Sequence, residues 1–212
     1  MSQITTQPNE NGAKTTISLL PSDPSRRFWV TTACAVGGVA GVATAVPFVG
    51  SFAPSAKARA AGAPVEVDIS TLAPGEMRTV EWRGNPIWVL HRTEAQLAAL
   101  ASNDPNLADP YSERPGFTPA FAKNEYRSLR PEIFVCIGIC THLGCSPSSR
   151  FETGAQPGLP SDWNGGFFCP CHGSTFDLAG RVFKNKPAPD NLEIPPYNFT
   201  PDGTRVIVGI EA

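Results

Sequence analysis

The chain has 212 residues, which suits one domain with attachments. Charged residues make up 17%, below the roughly 25% of an average soluble chain, and the 19 Gly and 22 Pro exclude a helical bundle or coiled coil in favour of a loop-rich β fold. A formal net charge of -2 excludes the basic footprint of a nucleic-acid binder.

Residues 1–24 are polar and show no hydrophobic periodicity, as in a flexible tail. The tail, 1–27, ends in Arg26-Arg27, and a pair of arginines ahead of an apolar run resembles a twin-arginine export signal. From Phe28 to Ala56 there are 29 positions without a charge, enough for the roughly 20 residues that cross a bilayer. The reading is one transmembrane helix over 28–53, with Pro47 as a kink and Gly37 and Gly41 as a small-residue face for another helix. Ala56-Lys57-Ala58 and Ala58-Arg59-Ala60 have the form of cleavage sites. The apolar run is longer than a cleaved signal core, so a retained anchor is expected. Residues 54–64 are rich in Ala and read as a flexible hinge.

The remaining residues, 65–212, read as one β-rich domain. Val65 to Ser70 and Glu76 to Trp82 alternate apolar and polar residues, and Asn85 to His91 reads as a third strand after a turn at Gly84-Asn85. Thr93 and Gln96 form a capping box ahead of a short helix around Ala95–Leu100. Residues 102–131 carry few strand patterns. Ile133 to Ile139 is an apolar strand running into Cys140, and Gly166 to Phe168 runs into Cys169. Leu192 to Ile194 and Arg205 to Ile210 close the domain as strands. Residues 146–166, rich in Gly, Pro and Ser, read as a surface excursion.

Four of the six Cys and two of the three His fall within 140–172. The first group is Cys140-Thr141-His142-Leu143-Gly144-Cys145, and the second is Cys169-Pro170-Cys171-His172-Gly173-Ser174. Each follows a strand and carries a Gly where a tight turn needs one. Two Cys and two His suit a structural zinc, although zinc fingers usually pair like with like. Four Cys also allow three disulfide pairings, which would leave both His unexplained. Cys169-Pro170-Cys171 as a redox pair would close a very small, strained ring. A two-iron cluster on two Cys and two His, with the remaining two Cys bridging the loops, employs all six residues.

The paired motifs closely resemble those of the Rieske iron–sulfur subunits of bacterial quinol–cytochrome c oxidoreductases. The twin arginines, the anchor, the Ala-rich hinge, a Ser128-Leu129-Arg130-Pro131 run and a Pro-rich loop at Pro187-Ala188-Pro189 extend the likeness over most of the chain. The resemblance implies a Rieske-type antiparallel β-sandwich with a small cluster-binding subdomain at about 136–190, preceded by the transmembrane helix. It implies one 2Fe–2S cluster held by Cys140 and Cys169 on one iron and by His142 and His172 on the other, with Cys145 and Cys171 joined as a disulfide. Such a bridge belongs to an oxidising compartment, which fits a domain on the periplasmic side of a bacterial inner membrane.

By the same resemblance, His172 meets ubiquinol and takes its proton, with His142 as its partner. Leu143 helps form the docking surface toward cytochrome b, or simply caps the cluster. Ser174 donates to a cluster sulfur. The partners implied are cytochrome b, a c-type cytochrome, ubiquinol and the membrane, in a dimeric, proton-translocating oxidoreductase. Neutral imidazoles leave the cluster less negative than four thiolates do, so it gains an electron at roughly −150 to +300 mV rather than about −400 mV, within reach of a quinol. The alternatives are a Rieske ferredoxin or oxygenase component, which generally lacks the extra Cys pair and the anchor, and a plastoquinol-oxidising relative.

Two positions depart from the family pattern. Phe176 stands where a tyrosine commonly donates to a ligand Cys, and Lys186 stands where a glycine usually opens the Pro-rich loop. Three further residues take no part in the constellation: His91 as a structural or surface histidine, Cys136 as a buried free thiol, and Cys34 as a packing residue of the span.

Overall fold

A computed structural model of the chain describes residues 24–56, 58 and 62–211. The first 23 residues of the polar tail, Lys57, and Arg59 to Ala61 of the hinge lie outside them, and with them parts of both cleavage-site patterns. The chain divides after Ser55 into two units.

The first unit contains helix α1, Pro24–Gly50. Its 27 residues rise about 40 Å, long enough to cross a bilayer core of about 30 Å. It buries no residue, and Phe28, Trp29, Val36, Val39 and Phe48 are all exposed, as befits a surface made for lipid or other helices. The helix starts earlier than the apolar run, so Arg26 and Arg27 lie in its first turn. Thr31 and Thr44 hydroxyls donate back to the carbonyls of Arg27 and Ala40, which hides their polarity along the helix.

The second unit is mainly β. Three small antiparallel sheets share one core. The first has the order β1 (Val65–Asp68), β9 (Arg205–Val208), β8 (Tyr197–Phe199). The second has the order β2 (Met77–Trp82), β3 (Asn85–His91), β4 (Ile133–Ile137), and the third β5 (Ser148–Arg150), β6 (Gly166–Phe168), β7 (Thr175–Asp177). The β2–β3 turn is Arg83-Gly84, both left-handed at φ 52 and 77, one residue earlier than the pattern placed it. Helix α2, Glu94–Asn103, starts with the expected box: Gln96 N–H donates to Thr93 Oγ1 at 3.2 Å and Thr93 N–H to Gln96 Oε1 at 2.9 Å.

Leu192 to Ile194 do not form a strand. They are apolar because they line the core, and their backbone bonds scatter: Leu192 to Gly180, Ile194 to Phe117, and Ile137 to Glu193. The 146–166 stretch lies mostly at the surface, as expected, but is not without structure. It contains β5, and Trp163, buried, donates its indole N–H to the Arg150 carbonyl at 2.9 Å. Trp88 of β3 stacks on Phe167 of β6 at 4.9 Å, joining the second sheet to the third.

Among the described residues, three arginines lie inside this unit. Arg92 donates to the carbonyls of Pro131, Tyr126 and Leu178 and to Ser128 Oγ, while Leu129 N–H donates to the Tyr197 hydroxyl at 2.9 Å. The Ser128-to-Pro131 run is therefore a belt around a buried guanidinium. Arg127 donates to the carbonyls of Ala179 and Leu192 and to Thr118 Oγ1. Burial pushes both of these guanidinium groups down to about 10. Arg181 pairs with Asp177 at 2.7 Å, both buried, and reaches Asp104 at 2.8 Å and the Leu100 carbonyl at the end of α2. Asp177 closes β7 directly beyond the second Cys/His loop, so this pair fixes where that loop leaves the body. Removing one partner of a buried pair strands the other charge. Asp177→Asn should lower the unfolding free energy of the domain by about 3–5 kcal/mol, as read by denaturant titration of the cluster-loaded protein; a change within error would remove the pair from the account.

Candidate metal centre

The two Cys/His loops are built on one backbone plan. In the first, Cys140 N–H donates to the Cys145 carbonyl at 2.7 Å and Gly144 N–H to the Cys140 carbonyl at 3.1 Å. In the second, Cys169 N–H donates to the Ser174 carbonyl at 2.8 Å and Gly173 N–H to the Cys169 carbonyl at 2.9 Å. Each is a six-residue hairpin, closed from first residue to sixth. Gly144 and Gly173 sit at the same place in each, at φ 81 and 76, a conformation that L side chains rarely adopt. The loops come from different sheets, the first from the end of β4 and the second from β6 to β7. A disulfide between Cys145 and Cys171, 26 residues apart, ties them together. Closing a loop of that length limits the unfolded chain by about 3–4 kcal/mol.

Inside the pair of loops, Cys140 and Cys169 are free thiols at 2% and 1% exposure. The His142 and His172 rings meet edge to face at 4.7 Å. His142 is half-buried and His172 exposed. The structure thus sets the two imidazoles edge to face and buries the two free thiols where the hairpins start. Among the described residues, the donor atoms of Cys145, Cys169 and Cys171 lie within 4.8 Å of one another. Two of those sulfurs are spent in the disulfide, so that trio is not a ligand set.

The donors fit the iron–sulfur group. Nδ1 of His142 is buried and has no hydrogen-bond partner, a costly state unless the nitrogen has a metal to bind. Burial pushes the Cys140 thiol up, opposed by the His142 backbone N–H and the Ser174 hydroxyl. Cys140 and Cys169 would hold iron as thiolates, the bound metal's positive charge favouring loss of their protons. A thiol pair beside an imidazole pair also matches two irons with different ligands better than one tetrahedral ion.

Ser174 is buried, and its Oγ accepts the Ala188 N–H at 3.0 Å; its hydroxyl is near enough to Cys140 to oppose the upward push of burial on that thiol. Leu143 projects from the first loop at 71% exposure. Phe176 is fully buried in β7, opposite Phe167, and brings no hydroxyl. The Pro-rich loop turns through Asn185 at φ 57, so the neighbouring Lys186 needs no glycine conformation. His91 lies away from these loops on β3, its Nδ1 2.7 Å from the Leu72 carbonyl oxygen. Cys136 is buried in β4 and its thiol is pushed up to about 12 by burial. Sequence patterns missed the contacts around the tip. Thr141 donates to the Asp190 carbonyl at 2.6 Å, and Arg114 pairs with Asp190 at 3.3 Å. The Pro-rich run alone marked the loop that carries them.

The loops, the disulfide and the sheets they leave define a Rieske iron–sulfur domain, and residues 121–197 match the model of the Rieske 2Fe-2S domain family. The chain is 58% identical over 184 residues to the ubiquinol-cytochrome c reductase iron-sulfur subunit of Allochromatium vinosum, covering 87% of each. It is 40% identical to the subunits of the same name from Bradyrhizobium diazoefficiens (88% of this chain, 95% of the relative) and Rhodospirillum rubrum (93% and 98%). The chain belongs to the family of Rieske iron–sulfur subunits of ubiquinol–cytochrome c reductases. It is an electron-transfer protein whose cofactor is a 2Fe–2S cluster.

Hydrogen bonds toward cluster sulfur favour the electron-rich state. Phe176→Tyr should therefore raise the midpoint potential, as measured by a redox titration followed by EPR; an unchanged or lower potential would show that a hydroxyl at this position does not reach the sulfur.

Proposed function

We propose that the chain is the electron-carrying subunit of a respiratory ubiquinol–cytochrome c reductase in a bacterial inner membrane. The relatives' names support the complex, and α1 supports the anchor. In this reading 28–53 holds the protein in the membrane, 54–64 is the hinge, and 65–212 works in the periplasm, with 136–190 as the cluster-binding part. Cys140, His142, Cys169 and His172 are the metal ligands, and Cys145 and Cys171 keep their loops together. The bound 2Fe–2S centre supplies a one-electron acceptor.

The rest is done by side chains of the chain itself. The carrying observation is the exposed ring of His172 set against His142 beside the exposed Leu143. With Nδ1 committed to metal, Nε2 of His172 is left to accept a hydrogen bond from a ubiquinol hydroxyl. The same atom takes the proton as the electron leaves the quinol, so the two move in one encounter. Leu143 supplies the apolar contact that seats the tip on the quinol pocket of cytochrome b. Ser174 orients a donor toward sulfur. The head then passes its electron to a c-type cytochrome, the hinge allowing the movement between the two sites. The complex works as a dimer and couples the electron step to proton translocation.

An imidazole that releases its proton in the oxidised state must take it back on reduction. Reduction then consumes a proton, and the midpoint potential falls as pH rises past that ionisation, by about 59 mV per pH unit for one proton and one electron. A titration of the membrane-bound protein across neutral and alkaline pH checks this. A potential independent of pH throughout would contradict the assignment of proton transfer to His172.

A further inference from the structure

The segment around 109–114 carries no strand or helix, yet its backbone is tightly held. The Asp109 carboxylate accepts the N–H groups of Glu113 at 2.9 Å and Arg114 at 3.2 Å. Buried Asn191 donates to the Asp109 carbonyl at 2.9 Å and to Ser112 Oγ at 3.3 Å. Ser112 is kept in the left-handed region at φ 55. From this base Arg114 reaches across to the Pro-rich loop, where its guanidinium donates to the Pro189 carbonyl and pairs with the Asp190 carboxylate at 3.3 Å.

The Pro-rich loop in turn touches both Cys/His loops. The carbonyl of Asp190 accepts the Thr141 hydroxyl, next to His142. The N–H of Ala188 donates to Ser174 Oγ, which leaves the Ser174 proton free to point toward Cys140. Arg114 is thus two hydrogen bonds away from the cluster surroundings without touching them. A solvent-exposed ion pair contributes little alone. This one is different in construction, because the same guanidinium also holds a backbone carbonyl and its own backbone is fixed by Asp109.

We propose that Arg114, acting through Asp190, is a positioning residue that clamps loop 187–190 so that Ser174 keeps its hydroxyl aimed at sulfur. The proposal rests on the reading of Cys140 as a ligand and Ser174 as a donor. Its signature separates it from a simple field effect. Loss of a positive charge at Arg114 and loss of a negative charge at Asp190 would shift the potential in opposite directions if only their fields mattered. Loosening the clamp lowers it in both cases.

The test uses the full-length protein in its isolated membrane complex, each variant compared at equal iron content. Arg114→Gln and Asp190→Asn should both lower the midpoint potential and both speed hydrogen exchange at the Ala188 amide. Arg114→Lys, which keeps the charge and one donor, should recover most of both. Shifts of opposite sign, or no shift in either variant, overturn the clamp. Ser174→Ala serves as the control. If it lowers the potential while Arg114→Gln and Asp190→Asn do not, the clamp alone fails. If Ser174→Ala leaves the potential unchanged, the reading of Ser174 fails and the clamp with it.

Discussion

Two thiols and two imidazoles have to be held at one tip of a small domain, and no helix or sheet runs between them. The disulfide from Cys145 to Cys171 answers that constraint. It joins hairpins that leave different sheets, and each hairpin is closed by the same two backbone bonds. With the bridge in place, the ring of His142 meets that of His172 and the buried thiol of Cys140 meets that of Cys169. Without it, the two loops are linked only through the Pro-rich loop and the sheets beneath them. Metal affinity follows from this, since a set of ligands is costly to assemble in a flexible chain.

The body beneath the tip is organised to keep that arrangement still. The stack of Trp88 on Phe167 ties the sheet that delivers the first loop to the sheet that delivers the second. Arg181 with Asp177 anchors the exit of the second loop to the end of α2. Arg92 and Arg127 saturate carbonyls of irregular segments that sheets cannot serve. In a domain with such short strands, buried guanidinium groups take over the role of satisfying loop backbone. The outer face of the tip is left apolar at Leu143, with the His172 ring exposed beside it.

Much of this was legible in the sequence, and the reason is local. The loop motifs are contiguous, so spacing alone displayed them, and Thr93 with Gln96 announced the start of α2. The first three strands alternate clearly or are continuously apolar. What escaped notice depends on contacts distant in the chain. Strands β5, β7 and β8 are three residues each, too short for a period to emerge. Leu192 and Ile194 looked like a strand because burial of a core-lining loop leaves the same apolar imprint. Three arginines gave no hint of being interior, since charge normally marks a surface. The ties among Arg114, Asp190 and Thr141 span up to 76 residues, and nothing in either neighbourhood announces the other.

The central claim is that mixed nitrogen and sulfur donors from the two hairpins bind a pair of irons. Iron and acid-labile sulfide analysis of the purified protein, combined with nitrogen hyperfine spectroscopy of its reduced form, tests it most directly. The account predicts two irons and two sulfides per chain in a 2Fe–2S centre, with coupling to two imidazole nitrogens that is lost at one site when either His142 or His172 is replaced. A single bound ion, or a reduced-state signal free of nitrogen coupling, would contradict it.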